Sequence, residues 1–241
     1  MLAATFWGFL GGFALLIGAL IALRLKPSPK TNAFVMAFGA GVLISAVSFD
    51  LTEEAINIGG GGSAALGLAA GALTFFIGDR IVDGRGGRDR KRSGGQQADG
   101  DPQGIVLGAL LDGIPESAAI GLTLIGGGSI SVSFIVAVFI SNLPESISAT
   151  TGLTKAGHSP RWIALLWLAV CVASAIAAGL GYQLLGDASD GTVAFVKTFA
   201  GGAILCMLAD TMMPEALEGG GNRVGLVTVL GFALAALLST A

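Results

Sequence analysis

Charge is what this chain has least of. Asp, Glu, Lys and Arg make up 12% of its 241 residues, too few to coat a soluble globule of this size, while apolar residues make up 53% and the mean hydropathy is +0.80. That balance belongs to integral membrane proteins. Histidine is almost absent: His158 stands alone, between Lys155 and Arg161, and reads as a surface residue of a basic connection. The two cysteines, Cys171 and Cys206, lie in apolar runs and read as small packing residues rather than a disulfide. No Lys or Arg falls in the core of any apolar run, so an acid found there has no basic partner within the runs.

What the chain does have is a series of apolar runs of about 20 residues, the length that crosses a bilayer as a helix. Eight are read, at 2–23, 31–56, 64–82, 104–125, 129–151, 162–185, 192–217 and 224–240. The expected fold is therefore an all-α integral membrane protein with eight transmembrane helices in a single domain, 1–241. Pro27-Ser28-Pro29 and the glycines at 59–62 and 126–128 mark turns. Gly67 and Gly71 form a small-xxx-small pattern of the kind that packs membrane helices closely. Segment 83–103 is the one long polar stretch. It holds Arg85, Arg88, Arg90, Lys91 and Arg92 among Gly, Ser and Gln, a composition that cannot bury a core. It reads as a flexible cytoplasmic loop that holds topology through its charge, not as a nucleic-acid-binding element.

The basic residues follow one side. The connections after runs 1, 3, 5 and 7 carry Lys and Arg, whereas those after runs 2 and 6 carry Glu53, Glu54, Asp187 and Asp190, with Lys197 the exception. Positive charge stays cytoplasmic, so both termini are expected outside a plasma or inner membrane. Run 1 has no basic residue before it and Arg24, Lys26 and Lys30 after it, the reverse of a secretory signal, and reads as a retained span. Trp7, Trp162 and Tyr182 near run ends read as interfacial anchors.

The chemistry gathers in runs 4 and 5. Asp112-Gly113-Ile114-Pro115-Glu116-Ser117 is echoed by Ser141-Asn142-Leu143-Pro144-Glu145-Ser146. A carboxylate at the centre of a membrane helix costs about 2.5–3.5 kcal/mol or more, so acids there mark function. Asp112 and Glu116 share a helix face at i, i+4, and Asn142 and Glu145 at i, i+3. Each proline frees the carbonyl four residues before it, Leu111 and Ile140. Carboxylates, an amide and bare carbonyls at mid-depth make a hard-ligand cage for a cation, with Ser141 a weaker donor. Asp50 lies toward the outer end of run 2, as an entrance group, and Asp210 and Glu215 toward the inner end of run 7, as an exit relay. Residues 40–45 lead to Glu54-Ala55 much as 201–206 lead to Glu215-Ala216, on runs of opposite direction. Inverted repeats of this kind mark secondary transporters.

The two Pro-Glu motifs, with Asp210-Thr211-Met212-Met213-Pro214-Glu215-Ala216, resemble the ZIP family of divalent metal transporters along nearly the whole chain. In that family the first motif is typically His-Asn-x-Pro-Glu and the second His-x-x-Pro-Glu. Here Asp112 and Ser141 stand where the histidines would be, and the amide has moved to Asn142. The resemblance implies a 3+2+3 arrangement, inward transport by alternating access, a homodimer, and Asp112, Glu116, Asn142 and Glu145 as ligands of one ion. It names zinc first, whereas oxygen-rich ligand sets suit harder ions such as Mn2+, and Fe(II) is also a candidate. No prosthetic group and no enzymatic activity are expected. Two other readings stay open: a proton- or Na+-coupled carrier of another solute, and an intramembrane hydrolase working through Asp112 or Asp210, for which no nucleophile–base pair stands out.

Overall fold

The computed structural model describes residues 1–94, 100–125 and 131–239. The turn expected at 126–128 lies outside the described residues, as do positions 95–99 of the expected loop and the span ends at 129–130 and 240. The chain forms α1 (Leu2–Leu25), α2 (Pro29–Ala46), α3 (Glu54–Val82), α4 (Pro102–Leu122), α5 (Val132–Lys155), α6 (Pro160–Leu185), α7 (Asp190–Met207), α8 (Met213–Gly220) and α9 (Val224–Ser239). There is no strand among the described residues. Among the described residues, six helical stretches are long and apolar enough to cross a membrane. Two of them run far past one bilayer thickness, Pro29–Gly87 with 59 residues and Asp190–Ser239 with 50. Each contains a break at a glycine with positive φ, Gly60 at 82° and Gly221 at 64°.

Local chemistry explains the starts. Ser28, Asp101, Ser131, Ser159 and Ser189 each accept a backbone N–H of the first turn of α2, α4, α5, α6 and α7, and α2, α4 and α6 have proline at a first position. Pro115 and Pro144, by contrast, do not interrupt their helices. α4 and α5 run continuously through them, although each proline forfeits one backbone hydrogen bond, because packed neighbours tolerate a proline inside a membrane helix. The irregular turns fall elsewhere. Val47–Glu53, after α2, and Leu208–Met212, after α7, are wound as π-helix. One carries Asp50 and the other Asp210. Such wide turns are often found at functional sites.

The packing is inside-out relative to a soluble bundle. α5 buries Ser141, Asn142, Glu145, Ser146, Ser148 and Thr150, while Leu2, Leu66, Leu165 and Leu226 are exposed on the outside. A bilayer solvates such a surface and water does not. α1 packs on α5 and α6, α4 on α6 and α7, α2 on α5 and α9, and α3 on α7. The α3–α7 contact is backbone to backbone. A Cβ on Gly67 would strike Thr198 and the Phe195 carbonyl, one on Gly71 the Phe199 carbonyl, and one on Gly202 of α7 the Leu68 carbonyl. The Gly67/Gly71 pattern thus faces a neighbour that approaches at glycine distance.

Replacing Gly71 by Leu is therefore expected to lower the thermal stability of the purified protein in detergent, by roughly 1–3 kcal/mol of overpacking. Gly61, where a Cβ meets nothing within 4 Å, serves as the control, and Gly61→Ala should melt like the unaltered chain. Equal melting of both variants would mean that α3 and α7 do not touch at these residues.

Candidate cation site

The two Pro-Glu helices bring their acids to the middle of the molecule. Asp112 and Glu116 of α4 and Glu145 of α5 are each almost fully buried. Two cations reach them from the segment between α3 and α4. Arg90 grips Asp112 in a fork, Nε to Oδ2 at 2.9 Å and Nη2 to Oδ1 at 3.0 Å, and reaches Asp79 of α3 at 2.6 Å. Lys91 Nζ lies 3.2 Å from Asp112 Oδ2 and 3.3 Å from Glu145 Oε2, and donates to Thr211 Oγ1 at 3.1 Å. Both cations are buried. Burial would lower the Arg90 guanidinium pKa, but the Asp112 carboxylate, with Asp79 behind it, outweighs burial and holds it above its ordinary value. Arg90 therefore stays charged, and a charged fork on a carboxylate is among the strong polar contacts a protein makes.

The described residues 83–94 of the expected loop pack against the helices. Asp83–Gly87 follows α3 as a π-turn that bends at Gly86, where φ is 85°, and the next residues turn inward. The partners that no span could supply come from the loop. Beyond Lys91, Arg92 pairs with Glu215 and Glu218 of α8, the Ser93 N–H donates to Glu215 Oε1 at 3.1 Å, and Lys155 Nζ donates to the Ser93 carbonyl at 2.7 Å. The segment is laced to α3, α4, α5 and α8.

Glu116 is different. Both of its carboxylate oxygens are buried without a hydrogen-bond partner, and the charges around it are Glu145, Lys91 and Asp112. Asn142 donates its side-chain N–H to the Gly11 carbonyl of α1 at 3.1 Å. Ser141 donates to the Val138 carbonyl of its own helix at 2.9 Å and faces Gly39 of α2. Among the described residues no group of three or more His, Cys, Asp or Glu side chains is close enough to hold a metal ion between them. What converges here is Asp112 and Glu145 on one ammonium, with Glu116 one helical turn from Asp112.

Asp50 accepts from Ser131 Oγ at 3.0 Å and from Ser133 Oγ at 2.9 and 3.0 Å. It sits at the N-terminus of α5, where the helix dipole favours an anion, about 18 Å along the helix from Glu145. Asp210 accepts from Cys206 Sγ at 3.3 Å. Asp210 and Glu215 line a cavity of about 320 Å3 that also reaches Asp79, Lys91 and Thr211. Glu215 is held further by Ser148 Oγ at 3.0 Å. Lys197, the exception in the charge pattern, is buried in α7 and pairs with Glu54 at 2.6 Å.

Sequence reasoning missed Asp79, Arg90, Lys91 and Thr211. A signal existed. Three acids at mid-depth with no base in the spans require positive charge from elsewhere, and Arg90-Lys91-Arg92 is the one dense basic cluster.

These features define a multi-pass α-helical membrane protein built around a buried charged site. No protein-family model matches the chain. It is 26% identical over 228 residues, 93% of its length, to a protein of Arabidopsis thaliana named "Putative zinc transporter". The chain spans 36% of the length of that relative.

The Arg90–Asp112 pair is expected to hold the segment in place. Arg90→Met alone takes the fork from the buried Asp112 carboxylate and leaves it only Lys91, at a cost of up to roughly 3–5 kcal/mol. Adding Asp112→Asn in the same chain should recover part of that loss. Thermal unfolding of the two single variants and the double variant measures the coupling, and strictly additive losses would show that the two side chains do not meet.

Proposed function

We propose that this chain carries a divalent metal ion, zinc first, across a membrane into the cytoplasm through a carboxylate site on α4 and α5. The single observation that carries the reading is Glu116, a buried membrane carboxylate with both oxygens unpartnered, beside two acids that already share one cation. A carboxylate left so in a bilayer is costly unless a cation or a proton comes to it. Asp112, Glu116, Glu145 and the Asn142 side-chain oxygen are the proposed ligands, with Ser141 a weaker donor. Asp50 serves the entrance, and Asp210 and Glu215 the exit.

The name of the plant relative supports zinc as cargo and a transporter rather than an enzyme. Oxygen ligands also suit Mn2+, which is the competitor to set against zinc. An inside-negative potential of 100 mV favours entry of a dication by about 4.6 kcal/mol.

The arrangement of helices supports the same reading. The breaks at Gly60 and Gly221 within the two long stretches support a reading of eight spans. Exchange α1 with α6, α2 with α7, α3 with α9 and α4 with α5. The α1–α5 contact then maps onto α6–α4, α2–α5 onto α7–α4, and α3–α7 onto α9–α2, and every one of these contacts occurs. This correspondence of contacts supports the proposed inverted repeats flanking a central pair, 3+2+3, in which alternating access would rock one part against another. It agrees with the resemblance to ZIP transporters.

Uptake of Zn2+ into proteoliposomes, followed with an enclosed zinc indicator, tests the proposal. The unaltered protein should take up zinc, and Glu116→Gln and Glu145→Gln should fall to the level of empty liposomes at equal reconstitution. Full uptake by either variant removes that residue from the path, and no uptake by the unaltered protein overturns metal transport.

A further inference from the structure

The Lys91 ammonium is placed like a bound ion. Its three oxygen partners come from three separate elements: Asp112 from α4, Glu145 from α5 and Thr211 from the π-turn 208–212. All three lie between 3.1 and 3.3 Å from one nitrogen. The space left beside it, under Arg90 and against Trp167, is about 10 Å3, room for no more than one water. We propose that Lys91 occupies the seat of the transported cation, that the segment around it is a tethered competitor which must leave before a metal ion binds, and that Thr211 supplies an oxygen of that seat.

This rests on the metal-transport reading and deepens it. Lys91 and a dication cannot share the position, because both need the same carboxylate oxygens and like charges at such a distance repel. Exchange is nevertheless open to the molecule. Lys91 is held by polar contacts that an incoming dication can take over one at a time, and it borders the cavity of about 320 Å3 that Asp210 and Glu215 line. Arg90 and Arg92 grip the segment on either side of Lys91, through Asp79 and Asp112 on one side and Glu215 and Glu218 on the other. When the metal leaves, the ammonium returns to the same oxygens and closes the cage, so that Asp112 and Glu145 are not left without a cation.

A competitor that fills a site lowers the apparent affinity of the ligand by the fraction of time the site is free. Titration of the purified full chain in detergent with zinc chloride, by calorimetry, should therefore show binding about tenfold or more tighter in Lys91→Met than in the unaltered protein. Thr211→Val in the Lys91→Met chain should weaken it again. A second measurement needs no variant: limited trypsin digestion read by mass spectrometry. Saturating zinc should speed cleavage after Lys91 and Arg92 in the unaltered chain, and Glu145→Gln should remove that acceleration. If zinc binds equally to the unaltered and Lys91→Met proteins and leaves cleavage unchanged, the competitor is overturned while metal binding stands. If zinc binds neither protein, the competitor and the transport reading fall together. If Thr211→Val changes nothing, Thr211 is removed from the seat.

Discussion

The structure depends on one electrostatic constraint: carboxylates held in a bilayer must meet positive charge. Desolvating an acid is expensive, and removing one partner of a buried pair leaves a worse state than having neither. Asp112, Glu116 and Glu145 are all buried, and Arg90 and Lys91 answer only the first and the last. Glu116 is left with two unpartnered oxygens. The site holds one carboxylate more than Arg90 and Lys91 answer, and in the proposed transport a dication would bring charge to Glu116 and compete for the oxygens that Lys91 holds.

The rest of the chain serves that site. Glycines at Gly67, Gly71 and Gly202 let α3 and α7 approach at backbone distance, and Gly41 and Gly231 do the same for α2 and α9. These close contacts fix the outer helices, and the polar face of α5 turns inward against α1 and α2. The two π-turns place Asp50 and Asp210 on helices of matching position in the chain's weak internal repeat. Asp50 accepts from the Ser131 and Ser133 hydroxyls at the N-terminus of α5, while Asp210 lines the cavity that reaches Lys91.

Much of this was legible in the sequence because membrane helices announce themselves by composition. All six apolar stretches found among the described residues begin at or within three residues of the expected positions, and the Gly67/Gly71 packing face was visible as spacing. The acids of α4 and α5 stood out because nothing else in those runs is charged. The loop cations did not, since a segment rich in Arg, Gly and Ser looks solvated when its partners lie far off in sequence. Arg90 and Asp112 are 22 positions apart, and Lys91 and Thr211 are 120 apart. Composition reports how much a segment wants water, whereas the fold decides which buried charge it answers. The prolines misled in the opposite way, because their effect on α4 and α5 depends on neighbours that one helix's sequence does not show.

The chemical identity of the seat is the central claim, and X-ray absorption at the zinc edge of the loaded protein measures it directly. A carboxylate seat predicts a shell of oxygens alone at about 2.0–2.2 Å. A thiolate sulfur at about 2.3 Å, or the multiple scattering of an imidazole ring, would contradict it.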